Sequence, residues 1–141
     1  KKVIKIKNKI VAIINKNIEI GTAMNTLAHI SFGMGVSIEN KDDARLTNYN
    51  DGDGNDHKNI SEMHLIVLRA NSNKIRKTRN AAIEKGIKYV DFTDTMTIGT
   101  YQEQIAKSAQ TKEEELIYYG IILFGEGGIV SEITKKFSLW K

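Results

Sequence analysis

The chain has 141 residues and a mass of 15.9 kDa, with 40% hydrophobic and 27% charged residues, the balance of one globular domain around one core. Cysteine and proline are both absent, which excludes disulfides, thiolate nucleophiles, cysteine-ligated zinc or iron–sulfur sites and cis-proline turns. The net charge of +4 and pI near 9.2 give a mild basic excess, and no apolar run approaches the roughly 18–20 residues that span a bilayer.

Lys1-Lys2-Val3-Ile4-Lys5-Ile6-Lys7 opens the sequence, and its lysines interrupt any signal-peptide core, so a soluble cytoplasmic protein is expected. Ile10-Val11-Ala12-Ile13-Ile14 is a β-branched apolar run that predicts a strand buried on both faces. A helix is predicted over Ala23 to Ile30, with Ala23, Met24, Leu27 and Ala28 on its core face, Thr22 as N-cap, and Gly33 and Gly35 as its stop. Residues 37–59 are polar and carry Asp-Gly turns, the pattern of a loop or weak hairpin. Met63 to Leu68 predicts the next strand. Ser72 is placed to cap a helix that runs to about Lys85, with Gly86 at its C-terminal cap. Ile87 to Phe92 predicts a third strand, Thr100 to Ser108 a modest helix, and Glu115 to Phe124 a fourth strand. A short helix is expected around Gly128 to Thr134, and the tail Phe137-Ser138-Leu139-Trp140 is apolar enough to dock on the body.

Strands thus alternate with helices, which predicts an α/β fold over residues 1–141 as a single domain. The expected architecture is three-layered: a small mixed sheet of about four strands with helices on both faces.

Several landmarks fall together in this order. Gly21-Thr22-Ala23-Met24-Asn25-Thr26-Leu27-Ala28-His29 follows the first strand. Leu65 to Leu68, a helix, and then Gly86-Ile87-Lys88-Tyr89-Val90-Asp91-Phe92-Thr93-Asp94-Thr95 come later, and Gly120 to Gly125 precedes Ile133 to Trp140. Over nearly its whole length the chain resembles the type II peptidyl-tRNA hydrolases. More closely it resembles an uncharacterised bacterial branch of that superfamily, whose helix carries an asparagine where Asn25 stands. The hydrolases cleave the ester between a peptide and a tRNA. Their first helix opens with Gly-Lys. Here Gly21 matches and Thr22 stands at the lysine position. The family's Ala-His pair matches Ala28-His29. Its Asp-Ala-Gly-x-Thr segment falls on Asp91 to Thr95, where Asp91 and Thr95 keep the acid and hydroxyl while Phe92 and Thr93 replace Ala-Gly, and a Gly-Thr downstream matches Gly99-Thr100. Tyr101 to Glu114 is an insertion of about one helix.

The resemblance implies a site built from Asp91 and Thr95 as catalytic groups, with Gly21, Thr22, Asn25, His29 and Asp94 binding the ligand. The missing lysine bears on the chemistry, because losing one donor to a developing oxyanion costs about 2.7–4 kcal/mol, and Thr22 carries no charge. Read without the family, Asp91, Asp94 and Thr95 close one strand, while Gly21, Thr22 and Asn25 open the helix after another. If those strands are parallel neighbours, both groups face one crevice at the carboxyl ends. The alternatives are that Asp91 caps a turn and that His29 is a buried, hydrogen-bonded histidine tying helix to sheet.

Other motifs are weaker. Asp51 to Glu62 matches a calcium loop at positions one, three, five and twelve, but Asp56 stands where the sharp turn requires glycine, so a flexible acidic hairpin is expected. His57 and His64 lack metal-helix spacing, and no metal site is assigned. Gly125-Glu126-Gly127-Gly128 fits a tight strand-to-helix turn better than a phosphate cradle. It has neither P-loop nor dinucleotide spacing, and no cofactor is assigned. Lysines 1, 2, 5, 7, 9 and 16, and Lys74, Arg76, Lys77, Arg79, Lys85 and Lys88, form two basic clusters that could draw RNA through counterion release. Two classes of function remain open. One is a diverged hydrolase acting on an ester or tRNA-linked substrate. The other is a non-catalytic module binding a small molecule or partner in the same crevice. Apolar positions of the first helix, with Gly33 and Gly35 after it, are a candidate homodimer face, and packing within the monomer explains them equally well.

Overall fold

The computed structural model describes residues 7–141, and the basic residues Lys1, Lys2 and Lys5 lie outside the described residues. The element order is β1 (Asn8–Asn15), α1 (Ile20–Ser37), β2 (Leu46–Asn50), β3 (Asp56–Ser61), β4 (Leu65–Ala70), α2 (Ser72–Lys85), β5 (Lys88–Thr93), α3 (Tyr101–Gln110), β6 (Tyr118–Glu126), α4 (Gly127–Thr134) and β7 (Ser138–Leu139). The fold is α/β, as the alternation predicts.

The main sheet is mixed and has five strands in the order β5-β6-β1-β4-β7, with β2 and β3 forming a separate pair. β1 runs parallel to β4, from Ile10 opposite Leu65 to Asn15 opposite Ala70. β6 is antiparallel to both β1 and β5. The fifth strand, beyond the four expected, is made by the tail. Leu139 pairs with Leu68, and the Trp140 amide donates to the Val67 carbonyl at 3.0 Å. An apolar tail expected only to dock therefore docks as an edge strand. The polar stretch becomes the β2/β3 hairpin, closed by an Asp51–Asn55 turn.

Alternate residues of β1 belong to two apolar clusters, because successive side chains of a strand point to opposite sides. Ile10, Ala12 and Ile14 join Ala23, Ile30 and Met34 of α1, with Phe92 and Ile122. Val11 and Ile13 join Ile75 and Ala82 of α2 and Val130 of α4, with Tyr118 and Ile121. This double use explains why β1 reads as an uninterrupted apolar run.

Three expectations for α1 are corrected. Gly33 and Gly35 do not stop it; the helix continues to Ser37, whose hydroxyl donates back to the Gly33 carbonyl at 2.6 Å. A glycine inside a helix costs about 1 kcal/mol, and buried Ile30 and Met34 on either side of Gly33 offset it. A Cβ on Gly33 would lie in ordinary contact with Val90 at 3.5 Å, so α1 rests close on β5 there. Thr22 is not the cap; the helix begins at Ile20 after Glu19, with no side-chain cap bond. The core face is Ala23, Thr26, Ile30 and Met34, so Met24 and Ala28 point outward.

α2 is capped one residue earlier than predicted. The Asn71 side chain accepts from the Lys74 amide at 2.9 Å, while Ser72 accepts from the Tyr118 amide at 2.8 Å. Gly86 closes the helix in the left-handed region at φ 68°, as predicted. Gly86→Ala should lower stability by about 1 kcal/mol in urea unfolding, because alanine is strained there.

Candidate functional site

Asp91 and the α1 residues do not share a crevice. β6 lies between β1 and β5, so the two strands are not neighbours. Phe92 belongs to the α1 cluster, and Asp91, one residue before it, turns the other way to α2. There the Arg79 Nε donates to Asp91 Oδ2 at 3.1 Å, and the guanidinium lies 5.6 Å from the Tyr89 ring centre. Burial pushes the Asp91 carboxyl above its ordinary value, and Arg79 only partly pulls it back.

Asp94 ties the end of β5 to the start of β6. Its amide donates to the Ile117 carbonyl at 3.0 Å, and its carboxylate accepts from the Ile117 amide at 3.1 Å. Thr95 is 1% exposed and sits in a chain of hydroxyls, 3.0 Å from Thr93 Oγ1 and 2.7 Å from Ser108 Oγ. That chain fastens α3 to the end of β5. Gly21 and Asn25 are exposed on α1, and Thr22 is half-buried. His29 is exposed, not buried, and stacks on Phe92 with ring centres 5.1 Å apart and planes 15° from parallel. The structure therefore groups the candidates in three places: the outer side of α1, the α2 side of β5, and the β5–α3 turn.

A different cleft occupies the place where wound sheets bind ligands. The parallel strands β1 and β4 end side by side, at Asn15 and Ala70. Beyond them opens a cleft of about 640 Å³, lined by Asn15, Asn17, Asn71, Asn73, Arg76, Glu114 and Glu115 among others. Asn15 is 3% exposed and fixed from both ends: its amide donates to the Tyr118 carbonyl at 2.8 Å and its oxygen accepts from the Asn17 amide at 2.8 Å. Asn71 caps the Lys74 amide, and the Ser72 and Asn73 amides of the first turn of α2 have no partner among the described residues.

Arg76 builds the far wall. Its Nε donates to Glu113 at 2.9 Å, its Nη1 to the Asn73 side chain at 2.7 Å, and its Nη2 to the Leu116 carbonyl at 2.6 Å. The Tyr118 hydroxyl also donates to Glu113 at 2.7 Å. These bonds hold the Glu113 carboxyl below its usual range, Tyr118 first and Arg76 second. Burial and the Glu113 carboxylate push the Tyr118 hydroxyl well above its usual range. Sequence reasoning missed this cleft, yet a signal was present: each parallel strand exits through Asn-x-Asn, at Asn15-Lys16-Asn17 and Asn71-Ser72-Asn73.

The basic reading narrows as well. Arg76 and Arg79 are spent on Glu113 and Asp91, which leaves Lys74, Lys77 and Lys85 as the exposed cations of α2. At the glycine-rich turn, the Gly128 and Ile129 amides are taken by the chain's own Glu126, at 3.0 and 2.8 Å. In the hairpin, Asp51 pairs with His57 at 2.9 Å and accepts from the Asn55 and Asp53 amides, which brings its carboxyl to about 2.

A family model described as a protein of unknown function, DUF2000, matches residues 8–141. The chain belongs to the DUF2000 family. Among solved structures, a protein of unknown function from Agrobacterium tumefaciens strain C58, Atu0240, is similar at 20% identity and a TM-score of 0.80. The match covers 96% of this chain and 98% of that one, which shows a shared fold. No curated protein matches the chain. The DUF2000 assignment spans every strand and helix that frames the asparagine cleft.

Proposed function

We propose that this chain is a non-catalytic ligand-binding module of three layers, with the sheet between α1 on one side and α2 with α4 on the other. Its ligand is a small polar molecule that both donates and accepts hydrogen bonds. The observation that supports this is the cleft beyond β1 and β4. Asn15 is buried and locked by backbone bonds as its floor, while Asn17, Asn71 and Asn73 edge it with side-chain amides that can donate, and two helix amides stand beside them. The cleft holds no histidine or thiol, and its carboxylates Glu114 and Glu115 are solvated.

A second reading keeps the kinship with type II peptidyl-tRNA hydrolases and a diverged hydrolase acting on an ester or tRNA-linked substrate, with RNA along the exposed lysines of α2. What favours it is Asp91, whose raised carboxyl is displaced in the direction that general acid–base chemistry uses.

Two assays separate them. In a thermal-shift screen of amino acids, nucleosides and other small polar metabolites, a ligand at a hundredfold excess over Kd adds about 2.7 kcal/mol and raises Tm by several degrees. Asn17→Ala with Asn73→Ala should remove that shift. Release of tRNA from a model peptidyl-tRNA by substoichiometric protein, abolished in Asp91→Ala, would establish the hydrolase instead.

A further inference from the structure

The outward face of α1 has no partner. The helix has 18 residues, and none between Ile20 and Ser37 is Asp, Glu, Lys or Arg. Its buried stripe is Ala23, Thr26, Ile30 and Met34. Outside that stripe, along an oblique i, i+4 row, Ile20, Met24, Phe32 and Val36 are 63%, 65%, 76% and 75% exposed. A surface helix ordinarily carries its charges on that side, and a helix that is apolar all round is a buried one. A lipid surface is a poor match, because helices that lie on membranes present lysine and arginine around their apolar face.

The pattern of the exposed residues selects the partner. Counted outward from Ala28, Met24 and Phe32 lie four residues either way. Gly21 and Gly35 lie seven either way, and Ile20 and Val36 eight either way. The face is therefore a palindrome, with large apolar residues matched to large and glycine to glycine. An antiparallel two-fold pair centred on Ala28 would set these matched positions against each other, because residue i then meets residue j while j meets i. Small residues at Gly21, Ala28 and Gly35 fall seven apart, close to two turns, and form a line along which two helices can approach. The four large side chains and the small ones between them offer on the order of 500 Å² per copy, so a pair buries about 1,000 Å², the lower bound for a specific interface.

We propose that the chain forms a homodimer through antiparallel packing of α1 on its copy, with Ala28 on the two-fold axis, Met24 against Phe32 of the partner subunit and Gly21 against Gly35 of the partner subunit. The pair is modest in area and depleted of charge at its centre. It closes over Gly21 and Asn25 on both copies.

Light scattering on the full chain at tens to hundreds of micromolar should give twice the 15.9 kDa mass. Ala28→Arg should give the single mass with an unchanged circular dichroism spectrum. Because the chain lacks cysteine, crosslinking reads the register directly. Ala28→Cys should form a covalent dimer on oxidation, far faster than the exposed control Asn55→Cys. Gly21→Cys alone should not crosslink, since its two copies would lie about 21 Å apart, whereas Gly21→Cys combined with Gly35→Cys should. A chain that stays monomeric, with Ala28→Cys no faster than the control, overturns the proposal and assigns the face to a different protein. Self-crosslinking of Gly21→Cys alone overturns the antiparallel arrangement.

Discussion

Gly120→Val should be among the most damaging single substitutions in the chain, lowering unfolding free energy by about 3 kcal/mol, with Gly120→Ala costing about 1–3 kcal/mol. Gly120 sits in β6 opposite Ile14 of β1 and Phe92 of β5, beneath α1. A Cβ there would lie 2.7 Å from Thr26 Cγ2, 3.0 Å from Ile14 Cδ1 and 3.3 Å from the Ile13 carbonyl. The last neighbour is sheet backbone and cannot yield. Thr26 is fully buried, and its hydroxyl finds no partner among the described residues. Thr26→Ala removes both the clashing methyl and an unsatisfied hydroxyl, whose burial costs about 1–3 kcal/mol, and alanine also favours the helix. That variant should therefore stay within about 1 kcal/mol of the parent. In its background Gly120→Ala should lose most of its penalty, a coupling of about 1–2 kcal/mol in a urea-unfolding double-mutant cycle. Strict additivity would mean that α1 does not rest on the sheet through this contact.

That contact also shows why the orientation of α1 was hard to read from sequence. Core and solvent sides of a helix are told apart by polarity, and α1 offers almost none. Thr26, a polar residue, faces the sheet, while Met24 and Ala28 face out. The strands were legible for the opposite reason. β1 is buried on both sides, and its run of β-branched residues leaves no other assignment. Gly86 was legible because a left-handed cap has a chemical requirement that few residues meet. Strand neighbours were not legible. The insertion of β6 between β1 and β5 joins segments about a hundred residues apart, and nothing local encodes that pairing. The expected meeting of Asp91 with Gly21 and Asn25 depended on it.

The asparagine cleft was legible in part. A strand leaving through Asn-x-Asn signals a turn, and one such exit means only that. Two of them, at Asn15–Asn17 and Asn71–Asn73, gain meaning once β1 and β4 are known to be parallel neighbours. The inward use of Arg76 and Arg79 was illegible, because a basic helix looks the same in sequence whether its cations meet water or carboxylates.

Arg79→Met should destabilise the fold by about 2–3 kcal/mol at neutral pH, and the loss should shrink in acid. Asp91 is 17% exposed and Arg79 27%, so breaking the pair leaves a carboxylate mostly out of water. Removing one partner of a fully buried pair costs about 3–5 kcal/mol, and partial exposure reduces that. The pH dependence follows from the direction of the Asp91 shift. Burial holds its folded pKa above the unfolded value of about 3.9, so the folded state keeps the proton longer. Its contribution to stability is present in full below the unfolded value and is lost as pH rises through the folded one. Without Arg79 the folded value climbs further, and the window of loss widens toward neutrality. The difference between Arg79→Met and the parent should therefore be small near pH 3 and grow through the weakly acidic range. Asp91→Asn combined with Arg79→Met carries no buried charge and should be more stable than Arg79→Met alone at pH 7, and its difference from the parent should follow only the parent's own Asp91 titration. Retained ligand stabilisation in the double variant would place binding away from Asp91, at the asparagine cleft. A pH-independent loss in Arg79→Met would instead mean that the arginine acts through its packing on Tyr89, 5.6 Å from the ring centre, and not through the carboxylate.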